Sequence, residues 1–342
     1  VTGGPFPPRG DPDDGDGRER HGDDRGAHGR GATGPARPPP VSRRRPLADG
    51  LARPGDGGGP GGPGSWRPAG GGAPDPRAFA EALERATPRP RATPVIVAAN
   101  VGVWLLMVGL FGISPMAPDP VEMIRWGAGY APKTLHGEPW RLVTSTFLHY
   151  GLLHVGSNMY VLWSGGRLVE KLLGTSGFVA AYAVAGLAGG VASLLFERGI
   201  VAGASGAVFG VFGALGGYLI AGRRWVPRAY VVSLRRAVIE FVMLNTVIAL
   251  MIPAISFWAH TGGLVGGFVV GLLVARPPTP EARRGAVVRA SAVTLALGGA
   301  LLASLPLLPA PPRDPRDYGS PFERRARPED PRDALRSIVG DE

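Results

Sequence analysis

The chain has 342 residues, 44% of them hydrophobic, no cysteine and a formal net charge of +10. Without cysteine there is no disulfide, no thiolate metal site and no thiol nucleophile, so covalent chemistry must use oxygen or nitrogen. The positive charge invites nucleic acid or an anionic surface, but its sharpest cluster, Ser42-Arg43-Arg44-Arg45-Pro46, is diluted by aspartates at 11, 13, 14, 16, 23 and 24, and no nucleic-acid partner is expected.

Residues 1–93 are dominated by Gly, Pro, Arg and Asp with almost no aliphatic run. Such a segment cannot bury enough apolar surface to offset the entropy of ordering, so it is expected to be a disordered tail. Seven apolar stretches follow, at 95–113, 152–165, 178–196, 202–221, 238–255, 258–275 and 287–308. Each reaches or approaches the roughly 20 residues that a helix needs to cross a hydrocarbon core of about 30 Å. The first lies too deep in the chain for a cleaved signal and reads as a retained helix. The second and fifth are short or interrupted by polar residues, which is tolerable only where neighbouring helices shield them. The fold class expected is an all-α polytopic membrane protein with the bilayer as its solvent.

Orientation follows from the arginines and lysines of short loops. Arg223, Arg224, Arg228, Arg235 and Arg236 lie between the fourth and fifth stretches; Arg276, Arg283, Arg284 and Arg289 precede the seventh; Arg167 and Lys171 follow the second. Alternating spans put all of them on one side, expected to be cytoplasmic together with the N-terminus. The polar tail at 309–342 then lies outside.

That topology brings ionisable and polar groups together at the outer ends of three stretches, where such groups are costly and need a reason. Ser205 opens the fourth stretch in the run Gly203-Ala204-Ser205-Gly206, His260 opens the sixth, and His154 and Asn158 sit one turn apart on the second. A hydroxyl nucleophile, an imidazole base and two hydrogen-bond donors are the parts that acyl transfer requires. Glu197, Glu170 and Glu240 are placed elsewhere by the same topology, so a Ser-His pair without a carboxylate is the simpler arrangement. Phe209, one turn after Ser205, either stacks on His260 or fills core space. Gly206 and Gly210, Gly213 and Gly217, and Gly263, Gly267 and Gly271 form ridges of the kind that lets two helices approach closely. The run is not the nucleophile elbow of soluble hydrolases, because Ala207 stands where that motif needs glycine and no strand precedes it.

Four motifs together carry a resemblance. Trp140-Arg141, the segment His149-Tyr-Gly-Leu-Leu-His154-Val-Gly-Ser-Asn158, Gly203-Ala-Ser205-Gly206, and Ala259-His260-Thr-Gly-Gly263-Leu-Val-Gly-Gly267 resemble, in this order, those of the rhomboid intramembrane serine proteases. The resemblance implies a rhomboid-like six-helix core at 94–276, with a linker and seventh helix at 277–308. It implies Ser205 as nucleophile, His260 as general base, and His154, Asn158 and the Ser205 backbone N–H as the oxyanion site, with neither cofactor nor metal. His149, Gly203, Gly206, Phe209 and Gly263 would support the site, and Trp140 with Arg141 would steady the first outer loop.

The implied substrates are single-span or polytopic membrane proteins whose helices unwind locally, entering beside the second and fifth helices. A bacterial plasma membrane is the expected location. Two other readings compete. One is an inactive relative that binds transmembrane helices without cutting them. The other is a transporter, which would carry its polar groups on to the inner leaflet and repeat itself between halves.

Overall fold

A computed structural model describes residues 74–309, apart from 198 and 253. The expected disorder of 1–73, the Arg43 to Arg45 cluster and the tail from 310 to 342 lie outside the described residues. Within the described part the tail expectation needs correction, because Pro76–Ala86 is a helix, α1. The Asp75 side chain accepts hydrogen bonds from the amides of Arg77 and Ala78, and Pro76 occupies a first-turn position where a missing N–H costs nothing. Phe79, Ala82, Leu83 and Ala86 recur at helical spacing and are buried. Phe79 meets Tyr230 at 5.5 Å, and Glu84 pairs with Lys171. Eleven residues are enough for order here because one face is covered by the helices that follow.

Helix α2, Ala92–Phe111, begins two residues before the expected core boundary and has no side-chain cap of its own. Its orphan N-terminal amides are satisfied from a distance. The fully buried carboxylate of Glu170 accepts from the backbone of Arg91, Ala92 and Thr93 and from the hydroxyls of Thr93 and Thr175, all at 2.8 to 2.9 Å. A buried charge is tolerated when its acceptor capacity is filled in this way.

The loop after α2 is built from short helices, α3 (Pro120–Arg125), α4 (Ala131–Thr134) and α5 (Arg141–Thr144). Arg141, only 3% exposed, ties them together by donating to the carbonyls of Ile124 and Ala128 and to the Glu138 carboxylate. Its guanidinium also lies 4.8 Å from the Trp140 ring. The hydrogen bond and charge of Arg141 hold the Glu138 carboxyl below the usual carboxylate range.

After this loop come α6 (Leu152–Val161), a π-turn at Leu162–Gly166 and α7 (Arg167–Phe196). The expected loop after residue 165 is therefore corrected: the helix runs on through Arg167 and Lys171. Forty-five continuous residues would measure about 68 Å, more than twice the hydrocarbon thickness. The run is divided at Gly174, whose φ of 75° and ψ of 162° are not helical. Arg276 donates to the carbonyl of Leu173 there at 3.0 Å, and a side chain at Gly174 would strike that guanidinium.

Helices α8 (Ser205–Ala221) and α10 (Phe257–Val274) pack against each other and against α7. Their seam is backbone on backbone. A Cβ at Gly263 would lie 2.0 Å from the carbonyl oxygen of Gly206, one at Gly267 1.9 Å from that of Gly210, and one at Gly271 2.2 Å from that of Ala214. On its other side α10 presents Gly262 and Gly266 to Ala188 of α7, a second small ridge unnoticed in the sequence. With 17 residues, α8 is short for a span, yet most of it is buried, so other helices rather than lipid surround it.

Helix α9, Arg228–Met251, is longer than the expected fifth stretch and takes in Arg228, Arg235 and Arg236, which were assigned to a loop. Shortness of this helix therefore lends no support to the expected substrate entry beside it. Ala249 is its one buried residue among those described. A four-residue helix, α11 (Pro280–Arg283), leads to α12 (Ala286–Ala303), which lies along α7, with Gly298 beside Leu187. Among the described residues four runs are long and apolar enough to cross a bilayer, Ala92–Phe111, Leu152–Phe196, Phe257–Val274 and Ala286–Leu307. The protein is an integral membrane protein of helical construction, and among the described residues the one β feature is a bridge between Gly129 and Val201.

Candidate active site

The segment entering α8 is extended and pinned at every step. Gly129 and Val201 exchange hydrogen bonds at 2.8 Å, the Gly203 amide donates to the Ser145 carbonyl at 2.9 Å, and the Ala204 amide donates to Nε2 of His149 at 3.3 Å. Ser205 is the first residue of α8, and the helix's first return bond comes only at Val208, which donates to the Ala204 carbonyl. The amides of Ser205, Gly206 and Ala207 thus form the positive end of a helix, suited to an oxyanion.

Gly203 has a φ of 131°, and a Cβ there would lie 2.8 Å from Nε2 of His154. Glycine is required both by the backbone and by the imidazole resting on it. The Tyr150 amide donates to Nδ1 of His154 at 3.3 Å. A backbone N–H can only donate, so the neutral ring carries its proton on Nε2, the nitrogen that faces Gly203. Asn158, buried one turn on, donates one amide hydrogen to the His154 carbonyl at 2.9 Å and retains a second.

His149 is fully buried, meets the His154 ring edge to face at 5.0 Å, and holds the backbone one residue before Ser205. Burial, assisted by the charge of nearby His154, pushes its imidazole down to about 3. His149 is therefore neutral when it accepts the Ala204 amide.

From the other side of the seam α10 delivers His260, which is buried and stacks on Phe209 at 4.1 Å with the rings 14° apart. Of the two sequence alternatives for Phe209, the structure contains the stack. The Ala259 carbonyl sits against Gly206, where a Cβ would approach it to 3.1 Å. Ser205 and His260 therefore belong to helix turns in backbone contact. Among the described residues no hydrogen bond joins the Ser205 hydroxyl to the His260 ring. Trp140 and Arg141 stand in the first loop and hold its short helices rather than the reacting groups.

Sequence reasoning placed Glu197 away from these groups, and that is corrected. The Glu197 carboxylate reaches the first turn of α10, accepting from the Trp258 amide at 3.1 Å and from the Ser256 hydroxyl. Its partners are a backbone amide and a hydroxyl, so the Ser-His pair gains no direct carboxylate member. Phe241 was also missed; it stacks on Phe212 at 3.7 Å and leans on Phe209 at 5.1 Å. Ser256 had a readable signal, since serine directly before an apolar helical run is a capping position.

Residues 136–277 match the Rhomboid domain. The rhomboid protease GluP of Bacillus subtilis (strain 168) is 32% identical over 177 residues, covering 52% of this chain and 34% of that protein. RHOMBOID-like protein 1 of Arabidopsis thaliana is 29% identical over 209 residues, covering 54% of this chain and 53% of its own. The putative rhomboid protease YdcA of Bacillus subtilis (strain 168) is 28% identical over 147 residues, covering 42% of this chain and 72% of its own. The chain thus spans about a third to a half of the length of the first two relatives. With the glycine seam and the Ser205 and His260 turns inside the matched region, the chain carries a Rhomboid domain at residues 136–277.

Proposed function

We propose that the protein is an intramembrane serine endopeptidase that hydrolyses peptide bonds in or near transmembrane segments of other membrane proteins, with Ser205 and His260 as its catalytic pair. The Rhomboid domain supports protease-like action inside the bilayer. The observation that carries the finer reading is the stack of His260 on Phe209, one turn from Ser205, across a seam in which Gly206 meets Ala259.

In this reading Ser205 Oγ attacks the scissile carbonyl carbon while His260 takes its proton, and the carbonyl oxygen becomes an oxyanion. The Ser205 amide, Nε2–H of His154 and the remaining amide hydrogen of Asn158 stabilise that charge. Collapse of the intermediate breaks the C–N bond, and His260 returns the proton to the departing amine. Water, deprotonated by His260, then attacks the acyl-serine ester, releasing the carboxylate product and restoring Ser205. In this reading the Ser205 to His260 hydrogen bond forms when substrate is bound, since catalytic hydrogen bonds commonly reach their working length only in the complex.

The catalytic unit is the core at 94–276, to which α12 is an addition. The substrate is a membrane protein with a locally unwound helix, because an intact helix hides its carbonyls in its own hydrogen bonds. The N-terminus lies in the cytoplasm, the site opens to the outer face, and a bacterial plasma membrane is the location.

The test is cleavage of a labelled single-span substrate by the full chain in liposomes. Ser205→Ala and His260→Ala should each abolish cleavage, and a serine-directed fluorophosphonate should label Ser205 alone. Cleavage surviving either change, or a folded wild type that neither cleaves nor is labelled, overturns the reading in favour of a helix-binding relative.

A further inference from the structure

Resting on the reading of His260 as general base, we propose that Glu197 is a positioning residue for it, capping the His260 helix from the neighbouring helix. Helix α10 starts at Ser256, whose hydroxyl accepts from the Ala259 amide at 3.0 Å. A capping box would place Glu or Gln at the third helical position to complete this start, but that position holds Ala259. Glu197, in extended conformation just after α7, supplies the carboxylate instead.

One of its oxygens accepts from the Trp258 amide at 3.1 Å and the other from the Ser256 hydroxyl. The two side chains together satisfy the second and third amides of α10. The next amide is that of His260 itself, which closes the first return bond on the Ser256 carbonyl at 3.3 Å. The catalytic imidazole thus hangs from the first residue whose backbone is set wholly by this cap.

Other contacts constrain the same turn. Phe196, adjacent to Glu197, stacks on Trp258 at 4.2 Å and 28°. The Ala259 carbonyl lies between Gly189 of α7 and Gly206 of α8, where added Cβ atoms would approach to 2.6 and 3.1 Å. Those contacts fix how deep the turn sits and leave its winding free. The carboxylate fixes the winding, and as a negative charge at a helix N-terminus it is favoured by the aligned peptide dipoles. It serves a different end from the aspartate of a soluble triad, since it orients the helix and leaves the ring to Phe209.

The experiment uses the full chain in detergent and in liposomes, reading fluorophosphonate labelling of Ser205, kcat and KM on a single-span substrate, and amide exchange at Trp258 and Ala259. Glu197→Ala is expected to slow labelling and kcat by roughly ten- to a hundredfold, since a misplacement of about 1 Å can cost a hundredfold. KM should stay within about twofold, and exchange at the two amides should accelerate. Glu197→Gln, whose carbonyl still accepts from Trp258, should recover most of the labelling rate. Should Glu197→Ala fail to fold, Ser256→Ala is read instead, with the same slowing expected.

Wild-type labelling and kcat in Glu197→Ala or Ser256→Ala would overturn the proposal, as would a raised KM with kcat intact. If even the wild type is unlabelled, the protease reading fails. Amide exchange still decides the cap, and unchanged exchange in Glu197→Ala refutes it whatever the protein cleaves.

Discussion

Helices α8 and α9 are neighbours in the chain but are attached to the bundle in opposite ways. The first meets α10 through glycines with carbonyl oxygens where side chains would stand, so neither helix can rotate or slide without collision. The second touches the rest through Phe241 on Phe212 and Phe209, Tyr230 on Phe79, and the half-buried Val231, Leu234 and Val238, while Val232, Met243, Leu244, Leu250 and Met251 face outward. In lipid, outward apolar side chains gain nothing from leaving the bilayer, so helix contacts rest on packing alone. The contrast separates precision from access: Ser205 and His260, the proposed reacting groups, stand on the seam, and of the two helices the one expected to admit substrate has less to lose by moving.

The largest expected effect comes from attacking the seam. Gly267→Ala adds a carbon 1.9 Å from the Gly210 carbonyl oxygen, with backbone on both sides and nothing flexible to yield. We expect a loss of about 3 kcal/mol or more, at or above the usual cost of overpacking, and no cleavage. Thermal unfolding in detergent checks it, and a wild-type midpoint would break the distinction between the two helices.

Next is Arg141→Lys, in the loop that leads towards the site. An ammonium cannot reach the Ile124 and Ala128 carbonyls and the Glu138 carboxylate as the guanidinium fork does. Loss of about 2 kcal/mol is expected from the abandoned charge-assisted bonds, with accelerated proteolysis of the loop. Retention of full protease resistance would mean the loop is held by its short helices alone.

Phe241→Ala probes the loosely attached side. Removing its ring contacts with Phe212 and Phe209 should cost about 1 to 3 kcal/mol. Phosphonate labelling of Ser205 should stay within about twofold, and cleavage of a spanning substrate should hold or rise, because only access has changed. A fall in labelling as large as that in cleavage would show that α9 also sets the geometry of the site.

The last test varies pH rather than a contact. Burial lowers the folded-state pKa of His149 from 6.5 to about 3, so its contribution to stability is complete above about 6.5. It is lost as pH falls towards 3, because the unfolded chain takes up a proton the folded chain refuses, by at most about 1.4 kcal/mol per unit. The unfolding midpoint of wild type should therefore fall between pH 6 and 4 relative to that of His149→Gln, by roughly that slope. Parallel curves would remove His149 from the pinned segment before Ser205.

Much of this was legible in the sequence because a bilayer leaves few options. Apolar runs must be helices, and Ser205, His260, His154 and Asn158 stand out by cost alone. What was missed has particular causes. Helix α1 was hidden in a Gly- and Pro-rich context, although Asp75-Pro76 and the spacing of Phe79, Ala82, Leu83 and Ala86 are a capped amphipathic pattern. The second apolar stretch ends at residue 165 and predicts a loop after it, but Gly165 and Gly166 are carried through by a π-turn, where Gly165 makes room for the Phe212 ring. The arginines at the start of α9 looked like a loop because charge was read as solvent. Glu197 escaped because its partners lie 59 and 61 positions away, a separation no local pattern records.

The cage around Glu170 says where the molecule tolerates shortening. Every backbone group it gathers from the amino-terminal side lies at or after Arg91, so a protease that trims the chain up to the end of α1 leaves the α2 anchor whole. Loss of α1 would release Tyr230 and Lys171 from their partners while the seam and its pair of reacting groups kept their support. Helix α1 is thus held by its own contacts, the Phe79 ring on Tyr230 and the Glu84 pair with Lys171, and not by the carboxylate that anchors α2.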